Sequence, residues 1–358
     1  MIRKVGILGA GTMGAGIAQL CLQNKFPVVL YDAVPESLCA AAGRIKEGLL
    51  NAAAKNRISR ETAEWGNQNI IYAKGLDLFS SCDLVVEAII EDLPAKIKIL
   101  ADIEKIYPQG VLATNTSSFL VSKVGEGLKN PGRFLGLHFF NPPVAMKLVE
   151  MIRTPQTKEK ILKQARDFIE EGLKRRPVSV LDTPGFIVNR VMRPYYLESQ
   201  RAVLEGADFL GIDKAARELG HVPMGPFELM DLIGLDVNLA ITKSIYDALG
   251  RLTRFQPQPI QERLVVLNQL GKKTGRGFYL YEAGKIIAVN PTALEMQGKN
   301  KISAQNSWNK IVQSLIREAE LVFQEKIASQ EDIDLAIRLA MNFPQGPFEW
   351  KKENESPL

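Results

Sequence analysis

Residues 5–14 read Val5-Gly6-Ile7-Leu8-Gly9-Ala10-Gly11-Thr12-Met13-Gly14, an apolar run followed by the pattern G-x-G-x-x-G. A helical pattern continues from Met13 to Asn24, and a second apolar run follows at Pro27-Val28-Val29-Leu30-Tyr31-Asp32. Strand, glycine turn, helix and strand within about thirty residues make one βαβ unit. This unit predicts a sheet that binds a dinucleotide at its first turn.

Each glycine of the motif has a physical role. The first permits a tight turn, the second lets the backbone approach a pyrophosphate, and the third lets helix and strand pack closely. The helix start offers N–H groups to the phosphates. The residues predicted to hold the cofactor here are Gly9, Gly11, Thr12, Met13 and Gly14.

The choice of cofactor depends on Asp32, which lies 23 residues after Gly9 at the end of the second strand. A carboxylate there binds the adenine ribose and repels the 2′-phosphate of NADP. The sequence therefore predicts NAD. FAD, which is bound by similar motifs, is the weaker alternative.

Strand patterns alternate with helical ones through the first half of the chain. After residue 32 the strand patterns are 69–73, 84–89, 111–113, 133–140, 147–152 and 177–181. Residues 36–68 and 95–106 have helical patterns, and a Pro-Pro turn joins the strands at 133–140 and 147–152. The alternation predicts an α/β fold with a Rossmann-type, doubly wound, mostly parallel sheet.

The pattern changes after Asp182. Thr183-Pro184 offers a helix start, with a hydroxyl N-cap and proline at the first helical position. Helical patterns dominate from there, so we predict an all-helical second domain. Residues 254–259 and 281–301 lack a regular pattern and are predicted to be irregular and exposed.

The second domain contains a partial internal repeat. Ile212-Asp213 with Gly225-Pro226-Phe227-Glu228 recurs 121 residues later as Ile333-Asp334 with Gly346-Pro347-Phe348-Glu349. His221 occupies a turn where the repeat has Asn342, and we predict a turn residue. The predicted domains are 1–182 (NAD-binding), 183–300 (helical) and 301–358 (an incomplete second copy of the helical module).

Composition and charge exclude several classes of protein. The net charge is +5 with both signs interspersed, so a nucleic-acid-binding stripe is not expected. No apolar run reaches the roughly 18–20 residues of a membrane span. The start of the chain leaves no room for a signal peptide before the glycine motif. Three cysteines lack metal-ligand spacing, which predicts reduced thiols, no metal and a cytoplasmic location.

His138 is the main candidate for catalysis. It ends the apolar strand Leu135-Gly136-Leu137-His138, and late strand ends in such sheets face the ligand crevice. An imidazole beside a nicotinamide suits the proton transfer that accompanies hydride transfer. If the Pro-Pro turn folds the chain back, Glu150 reaches the ring and fixes its tautomer. The alternative is a hydrogen-bonded core histidine.

Seven stretches of the sequence are distinctive: GAGTMGAGIAQ (9–19), VVEAIIED (85–92), NTSS (115–118), HFFNP (138–142), KLVE (147–150), DTPGFIVNR (182–190) and GPFELMDLIGLD (225–236). With these stretches the sequence resembles the L-3-hydroxyacyl-CoA dehydrogenases, including 3-hydroxybutyryl-CoA dehydrogenases, over nearly the whole chain. The resemblance implies a Rossmann-type domain followed by a helical domain that supports dimerisation.

The resemblance also implies roles for individual residues. His138 matches the catalytic base and Glu150 its partner, while Ser117 and Asn189 match side chains on the reacting oxygen. Ser117 as a helix cap and Asn189 as a backbone-bonded polar residue remain alternatives. The other matched positions are Asn141 near the base, Glu91, Lys96 and Asn115 at the cofactor, and, loosely, Lys55 at the phosphates of CoA.

The implied reaction is the reversible NAD-dependent oxidation of an L-3-hydroxyacyl-CoA to a 3-oxoacyl-CoA, as in fatty-acid β-oxidation. The alternatives are a dehydrogenase of a free hydroxy acid (gulonate or carnitine type), a non-catalytic NAD-binding protein and a subunit of a β-oxidation assembly. The C-terminal repeat, which short dimeric members lack, leaves a homodimer and a monomer both open.

Overall fold

The structure is a computed structural model that describes residues 1–107 and 109–355. The chain divides into two compact units, the first Met1–Thr183 and the second starting at Pro184. Among the described residues, none of the helices has the length and apolar character to span a membrane.

The first unit is built on one eight-stranded sheet. Its strands are β1 (Val5–Leu8), β2 (Val28–Tyr31), β3 (Ile70–Ala73), β4 (Leu84–Glu87), β5 (Val111–Thr114), β6 (Phe134–Phe139), β7 (Leu148–Arg153) and β8 (Arg176–Leu181). Their spatial order is β3-β2-β1-β4-β5-β6-β7-β8. Every neighbouring pair is parallel except β6 and β7, which are antiparallel. The predicted doubly wound, mostly parallel sheet is confirmed.

Helices cover both faces of this sheet, as the buried strands require. They are α1 (Thr12–Gln23), α2 (Pro35–Ala54), α3 (Arg60–Gln68), α4 (Leu93–Ile106), α5 (Val121–Val124) and α6 (Glu159–Asp167). Strand β1 has every residue buried, and with α1, α2 and β4 it contributes to a continuous apolar core. The strand order reverses between β1 and β4, the switch point at which ligands bind in such sheets.

The second unit is helical apart from one small sheet. Its helices are α7 (Val188–Val191), α8 (Arg193–Glu205), α9 (Phe209–Leu219), α10 (Pro226–Ile233), α11 (Leu235–Ala248), α12 (Pro259–Val266), α13 (Pro291–Leu294), α14 (Ala304–Gln324), α15 (Gln330–Met341) and α16 (Pro347–Glu355). The exception is an antiparallel hairpin of β9 (Tyr279–Glu282) and β10 (Lys285–Val289).

This hairpin corrects the all-helical prediction for the second domain and the irregular segment predicted at 281–301. Its turn is Ala283-Gly284, and both residues have positive φ, 47° and 76°. Two-residue hairpins of this kind favour asparagine or aspartate at the first position. Alanine there gives no such signal, so the sequence pattern misses the turn. The segment 254–259 is also misjudged, because Phe255 is fully buried.

The internal repeat is visible as repeated geometry. Asp213 accepts hydrogen bonds from the first N–H groups of α10, and Asp334 does the same for α16. A Cβ added at Gly225 or Gly346 would lie 2.4 or 2.3 Å from the corresponding aspartate. Glycine is therefore required at both positions. Helices α8–α10 and α14–α16 thus form two copies of one module.

The predicted turn residue of the repeat has the same backbone conformation in both copies. His221 has a φ of 49° and Asn342 a φ of 53°. The left-handed region suits asparagine better than histidine, since the asparagine side chain hydrogen-bonds locally. His221 is exposed in this turn, as expected for a turn residue.

Candidate active site

The glycine turn between β1 and α1 has the shape that a dinucleotide needs. Gly9 has a φ of 105°, and a Cβ there would lie 2.4 Å from the carbonyl oxygen of Ala88. A Cβ on Gly14 would lie 1.8 Å from the carbonyl oxygen of Gly9. A Cβ on Gly11 would meet no protein atom within 4 Å. The space beside Gly11 is therefore open, as the approach of a pyrophosphate requires.

Asp32 lies directly against this turn. Its Oδ2 accepts from the Ala10 N–H at 2.7 Å, and its Oδ1 accepts from the Val34 N–H at 2.8 Å. Each carboxylate oxygen has a second lone pair that suits a ribose hydroxyl. The Arg44 guanidinium donates to the Ala10 carbonyl at 2.8 Å. Sequence reasoning missed Arg44, because a helical arginine twelve residues after Asp32 has no local signal.

Glu91 organises the loop after β5. Its Oε1 accepts from the Thr116 hydroxyl at 2.5 Å and from the Ser117 N–H at 3.0 Å. The N–H and hydroxyl of Ser118 also donate to this oxygen, at 3.1 and 2.7 Å. Burial would raise the pKa of Glu91, but the Lys96 ammonium and these hydroxyls lower it overall. Glu91 thereby fixes the backbone of Ser117.

Lys96 belongs to an ion triad in which Lys96 and Glu87 are buried and the side chain of Glu91 is 35% exposed. Its ammonium lies 2.7 Å from Oε1 of Glu87 and 3.1 Å from Oε2 of Glu91. Glu87 is fully buried and accepts from the Thr114 hydroxyl at 2.6 Å. The side chain of Lys96 is 1% exposed, so it pairs with Glu91 from the interior of the unit. Sequence reasoning missed Glu87, although an acid at the carboxyl end of a buried strand is itself a signal.

Asn115 joins the same loop to the neighbouring strand. Its side-chain oxygen accepts from the N–H of Phe139 at 2.8 Å. Phe139 directly follows His138 in β6. The predicted cofactor residue Asn115 is therefore hydrogen-bonded to the residue that follows the predicted base.

His138 and Glu150 face each other in the antiparallel register of β6 and β7. Nδ1 of His138 lies 2.6 Å from Oε2 of Glu150. The histidine is 7% exposed and the glutamate is fully buried. A carboxylate on Nδ1 fixes the hydrogen there, so Nε2 is the basic nitrogen. The predicted pairing across the Pro-Pro turn is present.

The turn after His138 packs on the helix of the glycine motif. A Cβ on Gly16 of α1 would lie 2.8 Å from Cδ of Pro143. The Arg175 guanidinium holds the turn by donating to the Val144 carbonyl at 2.9 Å. The close approach at Gly16 brings the end of β6 to the helix that starts at the dinucleotide turn.

The remaining predicted residues belong to three different segments of the chain. Asn141 is exposed and precedes the cis peptide bond to Pro142. Lys55 is exposed at the C-cap of α2. Asn189 belongs to α7 of the second unit.

Within residues 1–107 and 109–355, no group of three or more His, Cys, Asp or Glu side chains is arranged to hold a metal ion. Burial raises the pKa of the Cys21 thiol to about 12 and that of Cys82 to about 11. Cys39 is exposed on α2.

Fold and site together define an α/β protein that binds a dinucleotide beside a carboxylate-backed histidine. Two family models match the chain. The 3-hydroxyacyl-CoA dehydrogenase NAD binding domain covers residues 4–183, and the 3-hydroxyacyl-CoA dehydrogenase C-terminal domain covers 185–281 and 307–353. The chain belongs to the 3-hydroxyacyl-CoA dehydrogenase family. The predicted family and NAD as cofactor are confirmed.

Individual relatives agree with this assignment. The chain is 33% identical to a 3-hydroxyadipyl-CoA dehydrogenase of Escherichia coli (strain K12), over 98% of this chain and 90% of the relative. It is 38% identical to the mitochondrial hydroxyacyl-coenzyme A dehydrogenase of Sus scrofa, over 79% of this chain and 92% of the relative. The crystal structure of 3-hydroxybutyryl-CoA dehydrogenase from Escherichia coli K12 is similar with a TM-score of 0.89 and 32% identity, covering 99% of this chain and 92% of that one.

Proposed function

We propose that this protein is an NAD-dependent dehydrogenase that interconverts L-3-hydroxyacyl-CoA and 3-oxoacyl-CoA thioesters. The observation that carries the proposal is the 2.6 Å contact between His138 and Glu150 at the end of β6, on a sheet whose first turn fits a dinucleotide. The family supports the thioester as the substrate class.

His138 moves the proton in this proposal. Its Nε2 removes the proton of the C3 hydroxyl group during oxidation and returns it to the C3 oxygen during reduction. Glu150 stabilises the imidazolium and holds the ring in one orientation. Because both side chains are buried, water competes weakly for these charges.

The cofactor residues are those of the glycine turn together with Asp32. NAD+, when bound, supplies the electrophilic nicotinamide carbon that takes the hydride from C3. Gly11 leaves room for the pyrophosphate, the start of α1 offers N–H groups to it, and Asp32 accepts from the ribose hydroxyls. Glu91 and Asn115 complete the proposed cofactor contacts, with Lys96 acting through Glu91.

The substrate contacts rest on the family motifs. We assign Ser117 and Asn189 to the C3 oxygen, Asn141 to the neighbourhood of the base and Lys55 to the phosphates of CoA. The hydrogen bond from Ser117 N–H to Glu91 supports a fixed position for Ser117. We also propose three domains, at residues 1–182, 183–300 and 301–358, and a cytoplasmic location. The protein is a homodimer or a monomer, and light scattering distinguishes the two.

Oxidation of NADH by acetoacetyl-CoA tests the function directly. We expect turnover with acetoacetyl-CoA and none with free acetoacetate, gulonate or carnitine. His138→Gln should bind NADH normally but lose roughly 10²–10⁴-fold in kcat, the usual contribution of a general base. Turnover of the free acids alone would place the protein in the class of free hydroxy acid dehydrogenases. Near-normal kcat in His138→Gln would remove the base from the mechanism.

A further inference from the structure

Asn189 sits in a single helical turn with a deeply buried arginine beside it. Helix α7 has four residues, Val188–Val191, and so has little stability of its own. Arg190 follows Asn189 directly, and 1% of its side chain is exposed. A buried guanidinium with five donors needs acceptors all around it. Its partners therefore determine where α7 lies.

Those partners come from the second copy of the helical module. Nε of Arg190 donates to Oε1 of Glu318 at 2.8 Å. The two terminal nitrogens donate to the two carboxylate oxygens of Glu325, both at 2.7 Å. Glu318 lies in α14, 1% exposed, and Glu325 is the C-cap of that helix. The second oxygen of Glu318 accepts from Nε of Arg254 at 2.7 Å.

The backbone of Asn189 is also held by the first copy. Nε of Arg193 donates to the Asn189 carbonyl at 2.8 Å. The same guanidinium donates to the hydroxyl of Thr242 in α11 at 3.1 Å. The turn that presents Asn189 is thus fixed by Arg193 on one side and by the carboxylates on Arg190 on the other.

We infer that Glu318, with Glu325, is a positioning residue for Asn189, and that the second copy of the module supports the catalytic reaction through this clamp. The clamp is the set Arg190, Glu318 and Glu325. The inference rests on the proposed function, because Asn189 contacts the substrate oxygen only there. Misplacing such a contact by about 1 Å is enough to cost up to roughly 10²-fold in rate.

Glu318→Gln tests the clamp in the full chain. It removes the charge and one acceptor while keeping the shape. We expect kcat for acetoacetyl-CoA to fall about tenfold or more with KM for NADH unchanged. The control is Glu320→Gln, two residues along α14, which pairs with Lys351 and not with the clamp. Its kcat should be that of the wild type.

A double-mutant cycle separates positioning from general destabilisation. In an Asn189→Ala background, Glu318→Gln should change kcat by less than about twofold, because the contact it positions is gone. An equal loss in both backgrounds would overturn the inference. Glu325→Gln provides a milder variant, since 47% of that side chain is exposed, and should show the same coupling with a smaller loss.

Hydrogen–deuterium exchange gives a readout that needs no activity. Peptides covering residues 186–193 should exchange faster in Glu318→Gln than in the wild type or in Glu320→Gln. Unchanged exchange would overturn the clamp even if activity falls. Absence of wild-type turnover with any CoA thioester would count against the proposed function, and the exchange measurement would still decide the clamp.

Discussion

The ammonium of Lys96 lies 2.7 Å from a carboxylate oxygen of Glu87, and the two side chains are 1% and 0% exposed. Glu91 completes this triad and holds the N–H of Ser117. A charge network inside the first unit therefore fixes one of the residues proposed to contact the substrate. The contribution of this network to the free energy of unfolding can be measured separately from catalysis.

Lys96→Met should lower the free energy of unfolding by about 3–5 kcal/mol, because it leaves the fully buried carboxylate of Glu87 without its cation. Urea unfolding measures this loss. The matched control is Lys98→Met on the same helix. Lys98 is 82% exposed and pairs with Asp102 one turn away, so its removal should cost at most about 1 kcal/mol. Equal losses in both variants would contradict the role given to the triad.

Glu150→Gln should lower kcat by roughly 10²-fold or more, since the imidazolium loses its counter-charge. Steady-state kinetics with acetoacetyl-CoA and NADH measure this loss. Glu159→Gln, at a residue 74% exposed on the surface, serves as the control. A kcat close to that of the wild type in Glu150→Gln would remove Glu150 from the proton transfer.

Gly11→Ala and Gly14→Ala should have different effects. A methyl group at Gly11 meets no protein atom within 4 Å, so the variant should keep the wild-type Tm and lose NADH binding. A methyl group at Gly14 would lie 1.8 Å from the Gly9 carbonyl oxygen. The Gly14→Ala variant should therefore have a lower Tm and should also lose NADH binding. Thermal unfolding and fluorescence titration with NADH measure the two effects. Normal NADH affinity in Gly11→Ala would move the pyrophosphate away from this turn.

Asp213 should make the stability of the second unit depend on pH. Burial raises the pKa of Asp213 from 3.8 to about 7, although the Phe227 N–H and the Tyr279 hydroxyl oppose the rise. The folded state therefore binds the proton more tightly than the unfolded one. The stabilisation that results is complete below about pH 4 and is lost as the pH rises through about 7.

The variant Asp213→Asn carries no titratable group and provides the comparison. The free energy of unfolding of the wild type minus that of the variant should fall between pH 5 and pH 8, by at most about 1.4 kcal/mol per pH unit. Asp334→Asn should show the same sign over a narrower range, because burial raises the pKa of Asp334 to about 6. If the difference in the free energy of unfolding grew with pH, the raised pKa of Asp213 would be refuted.

Local patterns were sufficient to predict the sheet and the histidine pair. The strands are short apolar runs between turn signals, and the Pro-Pro turn with a spacing of twelve residues brings Glu150 opposite His138. These features depend on residues close together in the chain. Residues directly opposite each other on neighbouring antiparallel strands point to the same face, so the two side chains meet.

The supporting charges could not be predicted in this way. Glu91 reaches the loop of Ser117 from 26 residues away, and Arg190 meets Glu318 and Glu325 at separations of 128 and 135 residues. No local pattern in a single sequence links residues that far apart. The motif VVEAIIED indicated Glu91, but only the structure shows that Lys96 pairs with both Glu91 and Glu87.

The three thiols of the chain differ in solvent accessibility, and one of them is suited to selective labelling. Cys21 and Cys82 are buried with raised pKa values, whereas Cys39 is exposed on α2, the helix from which Arg44 reaches the dinucleotide turn. A maleimide fluorophore should therefore attach at Cys39 alone without any engineering. Its emission would report the arrival of the coenzyme in real time, on an otherwise unaltered polypeptide.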